Sequence, residues 1–337
     1  MAEALEERLA RYLAAKLDAP DLTVHALSRI PGGASRETYR FRARHGGSER
    51  KLILRRDPPA SLIETERATE FRAYQAFFKL GLPVPEPIAL ELDGTALERP
   101  FFIMAEIEDA QAGSILAPDP YGAHRDKVGR QFWNILGTIA GADPQALGLS
   151  DFDGAKCCGD CWRHEVARWE KVVDEDEAEP QPIVRGAIAW LKQNPPPPAQ
   201  KIAVVHGDYR SGNFLVDGSG GIRAILDWEM AHLGDPLEDL GWALDPLWAH
   251  HDPSHPAGTL ARGDAIRIWE ETSGLKADPE ALSWWEIFAS VKGCAIWISA
   301  AQEYATRRND DPVNAFSGWY CLSFHNQVLA NRLEALA

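Results

Sequence analysis

The first third of the chain carries the short alternation of apolar and polar residues that is typical of β-strands. Residues that favour turns, such as Pro, Gly and Asp, separate these segments as in an antiparallel meander. Between the third and fourth segments, apolar residues recur at helical spacing instead. The predicted strands are 24–30, 38–44, 50–56, 82–91 and 99–108, and the predicted helices are 1–18 and 63–81. Residues 1–107 therefore predict a five-stranded antiparallel sheet with an added helix.

Helical spacing dominates the remainder of the chain. The predicted helices are 125–143, 161–175 and 183–194, and the sequence is again mainly helical after Leu237. The Gly-rich stretch 217–221 separates two short strand segments, 213–216 and 222–228, and predicts a hairpin. We therefore expect an α+β fold of two lobes: a β-rich lobe of residues 1–107 and a mainly helical lobe of residues 108–337.

Composition narrows the class of protein. The formal net charge is −15 over 337 residues, which disfavours binding to nucleic acid or to an anionic membrane. No apolar run approaches the ~20 residues that a membrane span needs. The first residues lack the basic start and apolar core of a signal peptide, and five cysteines fit a reducing compartment. These features predict a cytoplasmic protein.

Residues suited to chemistry are concentrated between His206 and Asp227. His206, Gly207 and Asp208 follow the apolar pair 204–205, and the predicted hairpin comes directly afterwards. Antiparallel pairing about the turn sets Asn213 opposite a residue between 225 and 227, so Asn213 and Asp227 are expected to meet beside Asp208. Two carboxylates and an amide oxygen suit Mg²⁺ together with nucleotide phosphates. A remaining carboxylate can accept a proton from a substrate hydroxyl.

The spacing of these residues resembles a known family. The pattern HxDxxxxN from His206 to Asn213 precedes a hairpin, the sequence DWE at 227–229 and the sequence LGDPLEDL at 233–240. In this order they resemble the aminoglycoside phosphotransferase and choline kinase-like superfamily, whose members have a protein-kinase-like fold of two lobes. The form of the motifs is similar to the phosphotransferase-like domains associated with acyl-CoA dehydrogenases.

The resemblance implies an enzyme that transfers a phosphoryl group from ATP to a hydroxyl of a small molecule. By that resemblance, Asp208 is the catalytic base, and Asn213 and Asp227 hold Mg²⁺. His206 braces the loop, and Arg210 neutralises the transferred group. The implied partner is a small-molecule hydroxyl substrate, with no nucleic acid and no membrane.

The resemblance also implies a nucleotide site in the first lobe. The backbone of four residues would cover the ATP phosphates: Gly32, Gly33, Ala34 and Ser35. A connector at 104–107 would bind adenine through Met104, Glu106 and Ile107.

The third strand departs from the family pattern. A Lys is expected there for the α- and β-phosphates, but the sequence LILRRDPP offers Arg55. Arg binds phosphate through a planar fork, whereas Lys acts as a point charge. We predict that Arg55 replaces the Lys, with Glu70 as its helix partner and Glu66 as the rival.

Several alternatives remain open from the sequence. The missing strand Lys motivates a catalytically silent nucleotide-binding module with a regulatory role. A protein kinase is disfavoured, because Gly234 follows Asp227 by only seven positions and leaves no long activation loop.

The acceptor is an aminoglycoside, an amino alcohol, a sugar or a hydroxyacyl compound. The cluster of Cys157, Cys158, Cys161 and His164 has the residue types of a zinc site, but its compact spacing favours incidental thiols. Neither the oligomeric state nor the choice between ATP and GTP follows from the sequence.

Overall fold

The computed structural model describes residues 4–30, 37–57, 65–114 and 116–336. By its contacts the chain divides into two compact units, Met1–Ala110 with Arg223–Met230, and Gln111–Ile222 with Ala231–Ala337. The short segment Arg223–Met230 thus belongs with the first unit, although it lies far along the sequence. The predicted lobes, 1–107 and 108–337, are consecutive stretches of sequence and would place Arg223–Met230 in the second lobe.

The first unit is built on a five-stranded sheet, as predicted. The strand order is β1-β2-β3-β5-β4, and each neighbouring pair is antiparallel. The elements of this unit are α1 (Leu5–Lys16), β1 (Thr23–Ile30), β2 (Glu37–His45), β3 (Ser48–Arg56), α2 (Thr65–Lys79), β4 (Pro87–Glu91) and β5 (Phe101–Ala105).

The two faces of this sheet carry separate apolar layers. Successive residues of a strand point to opposite faces, and Phe101 and Phe102 of β5 are both fully buried. Phe101 packs with its ring 4.9 Å from that of Tyr12 in α1. Phe102 packs against α2, with its ring 6.0 Å from that of Phe71 and 6.2 Å from that of Tyr74. One helix therefore covers each face, and α2 is the one that carries Glu70.

The remaining elements are mainly helical, which confirms the predicted α+β class. In chain order they are β6 (Ala110–Ala112), α3 (Arg125–Gly141), α4 (Cys161–Asp176), α5 (Pro182–Gln193), β7 (Ala203–Val205), β8 (Phe214–Asp217), β9 (Ile222–Ile225), β10 (His232–Gly234), α6 (Pro236–Ala243), α7 (Arg262–Ser273), α8 (Pro279–Ala305), α9 (Pro312–Phe316) and α10 (Leu322–Glu334). Among the described residues, no helix is long and apolar enough to span a membrane.

The helix α8 forms the centre of the second unit. It has 27 residues, and α6 packs against it at close range. A Cβ atom added to Gly241 of α6 would lie 3.0 Å from the backbone of Trp285 in α8. The helices can approach this closely because residue 241 has no side chain.

The start of α6 is fixed by a side-chain cap. Asp235 accepts a hydrogen bond from the N–H of Leu237 at 2.9 Å, and Pro236 occupies the first turn. Its other carboxylate oxygen accepts from the indole N–H of Trp285 at 3.1 Å. This cap aims the first turn of α6, which carries Glu238 and Asp239, into the core of the second unit, where both side chains are buried.

Candidate active site

The loop from His206 to Asn213 follows the buried strand β7 and is held by α6. The carboxylate of Asp239 accepts the backbone N–H of His206 at 2.6 Å and of Gly207 at 2.9 Å. Gly207 has a φ of +84°, a left-handed conformation that glycine adopts without strain. The loop therefore turns sharply at Gly207 and presents Asp208 next.

Three donors surround the carboxylate of Asp208. Its Oδ1 accepts from Arg210 Nε and from Trp242 Nε1, each at 2.9 Å. Its Oδ2 accepts from Asn213 Nδ2 at 2.6 Å. The side chain of Asp208 remains 17% exposed. The carboxylate is thus held in one orientation while it stays accessible, which is what a general base requires.

Asn213 is oriented by the same loop. Its Nδ2 donates to the backbone oxygen of Asp208 at 2.9 Å as well as to the carboxylate. An amide nitrogen only donates, whereas the amide oxygen accepts hydrogen bonds or binds cations. Because the nitrogen faces Asp208, the Oδ1 of Asn213 is the atom suited to a cation.

His206 and Arg210 flank Asp208 from two sides. The buried ring of His206 accepts the N–H of Asp208 through Nδ1 at 3.1 Å. This contact ties the ring to the loop backbone, and the bracing role that the family resemblance implies stays a prediction. Arg210 places its guanidinium carbon 4.8 Å from the ring centre of Trp248 while its Nε bonds Asp208.

A second polar cluster lies in the first unit, around Arg55. The guanidinium donates through Nη1 to the buried carboxylate of Glu70 and to Asp227 Oδ1, the latter at 3.0 Å. Burial alone would lower the pKa of Arg55, but the carboxylates of Glu70 and Asp227 raise that pKa above its ordinary value. Glu70 is therefore the helix residue that pairs with Arg55.

Asp227 adopts an unusual backbone conformation in this cluster. Its φ is +62°, and Asp is one of the few residues besides Gly that tolerates the left-handed region. Its N–H donates to the hydroxyl of Tyr74 at 3.1 Å. Burial raises the pKa of that hydroxyl well above its ordinary value, so Tyr74 stays a neutral hydrogen-bonding group.

The predicted connector, 104–107, begins within β5 and continues past its end. Met104 is buried within β5, and the N–H of Glu106 donates to the backbone oxygen of Lys51 at 3.0 Å. The carboxylate of Glu106 forms an ion pair with Arg40. Ile107 comes next and is half-buried. The predicted phosphate loop, Gly32, Gly33, Ala34 and Ser35, lies outside the described residues.

Among the described residues, the side chains of the cysteine cluster do not converge as a group of metal ligands. Cys157 is exposed, Cys161 is buried, and the Cys161 thiol donates to the backbone oxygen of Cys157 at 3.7 Å. Within the described parts of the chain, a set of potential metal ligands converges elsewhere. It consists of Glu165, His232 and Glu238, whose ligand atoms all lie within 4.8 Å of one another. The interpretation of these cysteines as incidental thiols stays a prediction.

Sequence reasoning did not single out Trp242, and it named Asp239 only within the sequence LGDPLEDL at 233–240. Both lie in α6, three positions apart. Residues at this spacing share one face of a helix, so the face of α6 that holds the loop through Asp239 also carries Trp242. The helical spacing after Leu237 was the signal that could have found Trp242.

The sequence is similar to those of known proteins. The family model described as the phosphotransferase enzyme family matches residues 26–275. Acyl-CoA dehydrogenase family member 10 of Mus musculus is 28% identical over 241 residues, which are 71% of this chain and 22% of that protein. Acyl-CoA dehydrogenase family member 11 of Homo sapiens is 26% identical over 224 residues, 65% of this chain and 28% of that protein. The chain thus spans about a quarter of the length of these relatives.

Solved structures show the same fold. A putative aminoglycoside phosphotransferase from Ralstonia eutropha superposes with a TM-score of 0.77 at 20% identity, covering 97% of this chain and 98% of that one. A spectinomycin phosphotransferase in complex with ADP and spectinomycin gives a TM-score of 0.59 at 13% identity, with 97% and 98% covered. Since the family model matches well over half of its length, this chain belongs to the phosphotransferase enzyme family.

Proposed function

We propose that this protein transfers the γ-phosphoryl group of ATP to a hydroxyl group of a small molecule. The observation that carries the proposal is the carboxylate of Asp208, which three side chains orient on the loop that bears the family motif. A carboxylate fixed in this way accepts the proton of an acceptor hydroxyl as that oxygen attacks.

The same loop supports a role for Arg210. Its Nε bonds Asp208 and its plane rests on Trp248, so the guanidinium is held next to the base. A guanidinium there stabilises negative charge that develops during transfer. His206 acts indirectly, because its ring receives the N–H of Asp208 and fixes the backbone.

We further propose Asn213 and Asp227 as the ligands of Mg²⁺. The residues fit the ion, because each offers a hard oxygen: the amide oxygen of Asn213, whose nitrogen faces Asp208, and the carboxylate of Asp227, whose side chain is 41% exposed. When bound, Mg²⁺ neutralises charge on the nucleotide phosphates.

The first unit supports nucleotide binding. Arg55 is held by Glu70 and replaces the usual Lys as the ligand of the phosphates, through a fork of donors that suits phosphate oxygens. We assign adenine to the connector of Met104, Glu106 and Ile107, and the phosphates to the backbone of 32–35. The spectinomycin phosphotransferase relative contains ADP in its structure, which supports the use of a nucleotide.

The acceptor class is a further proposal. Solved relatives contain spectinomycin or hygromycin B, whereas the relatives with the greater sequence similarity are acyl-CoA dehydrogenase family members. The greater sequence similarity favours a hydroxylated metabolite over an antibiotic.

The test is Mg²⁺-dependent consumption of ATP with a panel of aminoglycosides, amino alcohols, sugars and hydroxyacyl compounds. Product masses are recorded for the wild type and for Asp208→Asn. We expect one class to gain a phosphoryl group, and the variant to lose this activity while it still binds ATP. Full turnover by Asp208→Asn would refute Asp208 as the base. Metal-dependent ATP binding without any phosphorylated product would instead favour the silent nucleotide-binding module.

A further inference from the structure

A row of buried charged side chains lies directly behind the loop of Asp208. Four elements of the second unit each contribute one residue, and each residue is at most 2% exposed. Lys292 Nζ lies 2.9 Å from Glu238, Glu238 lies 3.0 Å from His232, and His232 lies 3.5 Å from Glu165. The contributing elements are α8 for Lys292, α6 for Glu238, β10 for His232 and α4 for Glu165.

The charges in this row alternate in sign. Burial alone would lower the pKa of His232, but Glu165 and Glu238 raise it to about 9. Burial would likewise raise the pKa of Glu238, but Lys292 and His232 hold it at about 2. Two cations therefore balance two anions, which is the condition for burying charge at acceptable cost. Both carboxylate oxygens of Glu238 already have a partner, Lys292 at Oε1 and His232 at Oε2, so we do not assign this cluster to a metal ion.

The end of the row at Lys292 contacts the catalytic loop. Its Nζ donates to the backbone oxygen of Gly207 at 2.6 Å, in addition to Glu238. That oxygen belongs to the peptide bond between Gly207 and Asp208. On the other side of Gly207, its N–H donates to Asp239. Neighbouring residues of α6, Glu238 and Asp239, thus control both polar groups of Gly207, one through Lys292 and one directly.

The same ammonium also approaches the side-chain partner of the base. Lys292 Nζ lies 5.1 Å from the ring centre of Trp242, and the indole N–H of Trp242 donates to Asp208. An ammonium over the face of an indole is an attractive contact that fixes the ring. Lys292 therefore reaches Asp208 by two routes, through its backbone and through Trp242.

We propose that Lys292 is a positioning residue for the general base: its ammonium group fixes the Gly207–Asp208 peptide, and the row of Glu238, His232 and Glu165 holds that ammonium in place. The role of the base rests on the proposed function above, whereas the contact with the loop does not.

The first test measures the loop itself, without nucleotide. Hydrogen exchange of the amides of His206, Gly207 and Asp208 is compared between the wild type and Lys292→Met. A hydrogen bond from a charged donor has been removed, so we expect at least about tenfold faster exchange at these amides. The control is Leu191→Ala, a buried residue of α5, which supplies no member of the buried row. It lowers global stability and should leave the relative protection of the loop unchanged.

The second test separates positioning from folding by kinetics. With MgATP and water as the acceptor, we expect Lys292→Met to lower kcat about tenfold or more while KM for ATP stays within about twofold. Lys292→Arg should restore part of kcat, since a guanidinium can donate to both the carbonyl and Glu238. The matched control Lys192→Met removes a surface ammonium that pairs with Glu170 and should match the wild type.

A double variant addresses the buried charge. Lys292→Met/Glu238→Gln removes both partners, so its thermal stability should recover relative to Lys292→Met while kcat stays low. Loop exchange and kcat at wild-type values in folded Lys292→Met would overturn the inference. So would loop exchange that rises equally in Leu191→Ala, or a double variant that regains full kcat. A wild type without any ATP turnover would count against the proposed function alone, because the exchange experiment still decides the role of Lys292.

Discussion

The clusters around Asp208 and Arg55 are built in opposite ways. Asp208 is an anion enclosed by N–H donors, two of them uncharged. Arg55 is a cation enclosed by the carboxylates of Glu70 and Asp227. The first arrangement holds the carboxylate of Asp208 in place with N–H donors, none of which carries a negative charge. In the second, a proposed metal ligand is already bonded to a proposed phosphate ligand, so binding of Mg²⁺ and phosphate at Arg55 requires exchange of partners.

This difference separates the expected effects of mutation. Changes at Asp208 should act on the rate, because its surroundings are already in place. Changes at Arg55 should act on stability and on nucleotide binding, because its surroundings are charge-balanced by the protein alone. Three predictions test this contrast and a fourth tests the buried row behind the loop; they are ordered from the largest expected effect to the smallest.

The largest effect is expected from removing the base. Asp208→Asn should lower kcat by roughly 10³-fold, within the range typical of general-base catalysis, while the Kd for MgATP stays within about threefold. Asp227→Ala should instead weaken MgATP binding by at least about tenfold, since a carboxylate ligand of the cation is lost. Steady-state kinetics and titration calorimetry measure the two. A weakened MgATP affinity in Asp208→Asn would contradict the proposal that Asp208 acts on the rate and Asp227 on MgATP binding.

Removal of the Arg55 guanidinium should destabilise the protein. Arg55→Met removes a cation that pairs with the buried carboxylate of Glu70, at a cost of about 3 kcal/mol in the free energy of unfolding. The double variant Arg55→Met/Glu70→Gln should regain most of that loss, and Arg55→Lys should lose less than Arg55→Met. Urea denaturation measures all three. Equal stability of Arg55→Met and the wild type would show that the pair does not hold the first unit together.

His232 should make stability depend on pH. Its pKa is raised from 6.5 to about 9 in the folded protein, so its contribution is complete below pH 6.5 and is lost as the pH rises through about 9. The loss is on the order of 2–3 kcal/mol. The charged and titratable groups around His232 include Glu165, Glu238, Arg168 and His164. Unfolding free energy measured from pH 6.5 to 9.5 should fall more steeply in the wild type than in His232→Gln, and parallel curves would contradict the assignment.

The smallest effect is expected from Trp242→Phe. Phe keeps an aromatic ring near Trp248, whose centre lies 5.0 Å away, but it cannot donate to Asp208. Loss of one hydrogen bond to a charged group predicts a fall in kcat of about tenfold, with KM for ATP unchanged. A variant with unchanged kcat would show that Arg210 and Asn213 alone orient the carboxylate.

The two clusters also differ in how far the sequence predicts them. The partners of Asp208 in the loop lie two and five positions away, so a local motif contains them. Arg55 and Asp227 are 172 positions apart, and only the family resemblance linked them to one nucleotide site. The strands and helices themselves were predictable because alternation and helical spacing are local properties.

Lys292 illustrates what no sequence pattern could supply. It lies in α8, whose apolar residues are distributed over every face of the helix, and the sequence around it does not indicate a role for a charged side chain. Its role depends on Gly241, which lets α6 approach α8, and on side chains from three other elements. Such contacts exist only after tertiary packing, which intrinsic propensity does not determine.

The division of the first unit along the sequence has a consequence for its synthesis. The ring of Phe77 in α2 stacks on Trp228 at 4.4 Å, and the N–H of Ile225 bonds the backbone oxygen of Pro83. When a ribosome has made residue 110, these partners do not yet exist. At roughly 5–20 residues per second, the segment Arg223–Met230, which completes the packing of the first unit, is synthesised on the order of ten seconds after residue 110. A fragment that stops at residue 110 would keep that aromatic surface exposed to the cell, and with it a site where chaperones bind.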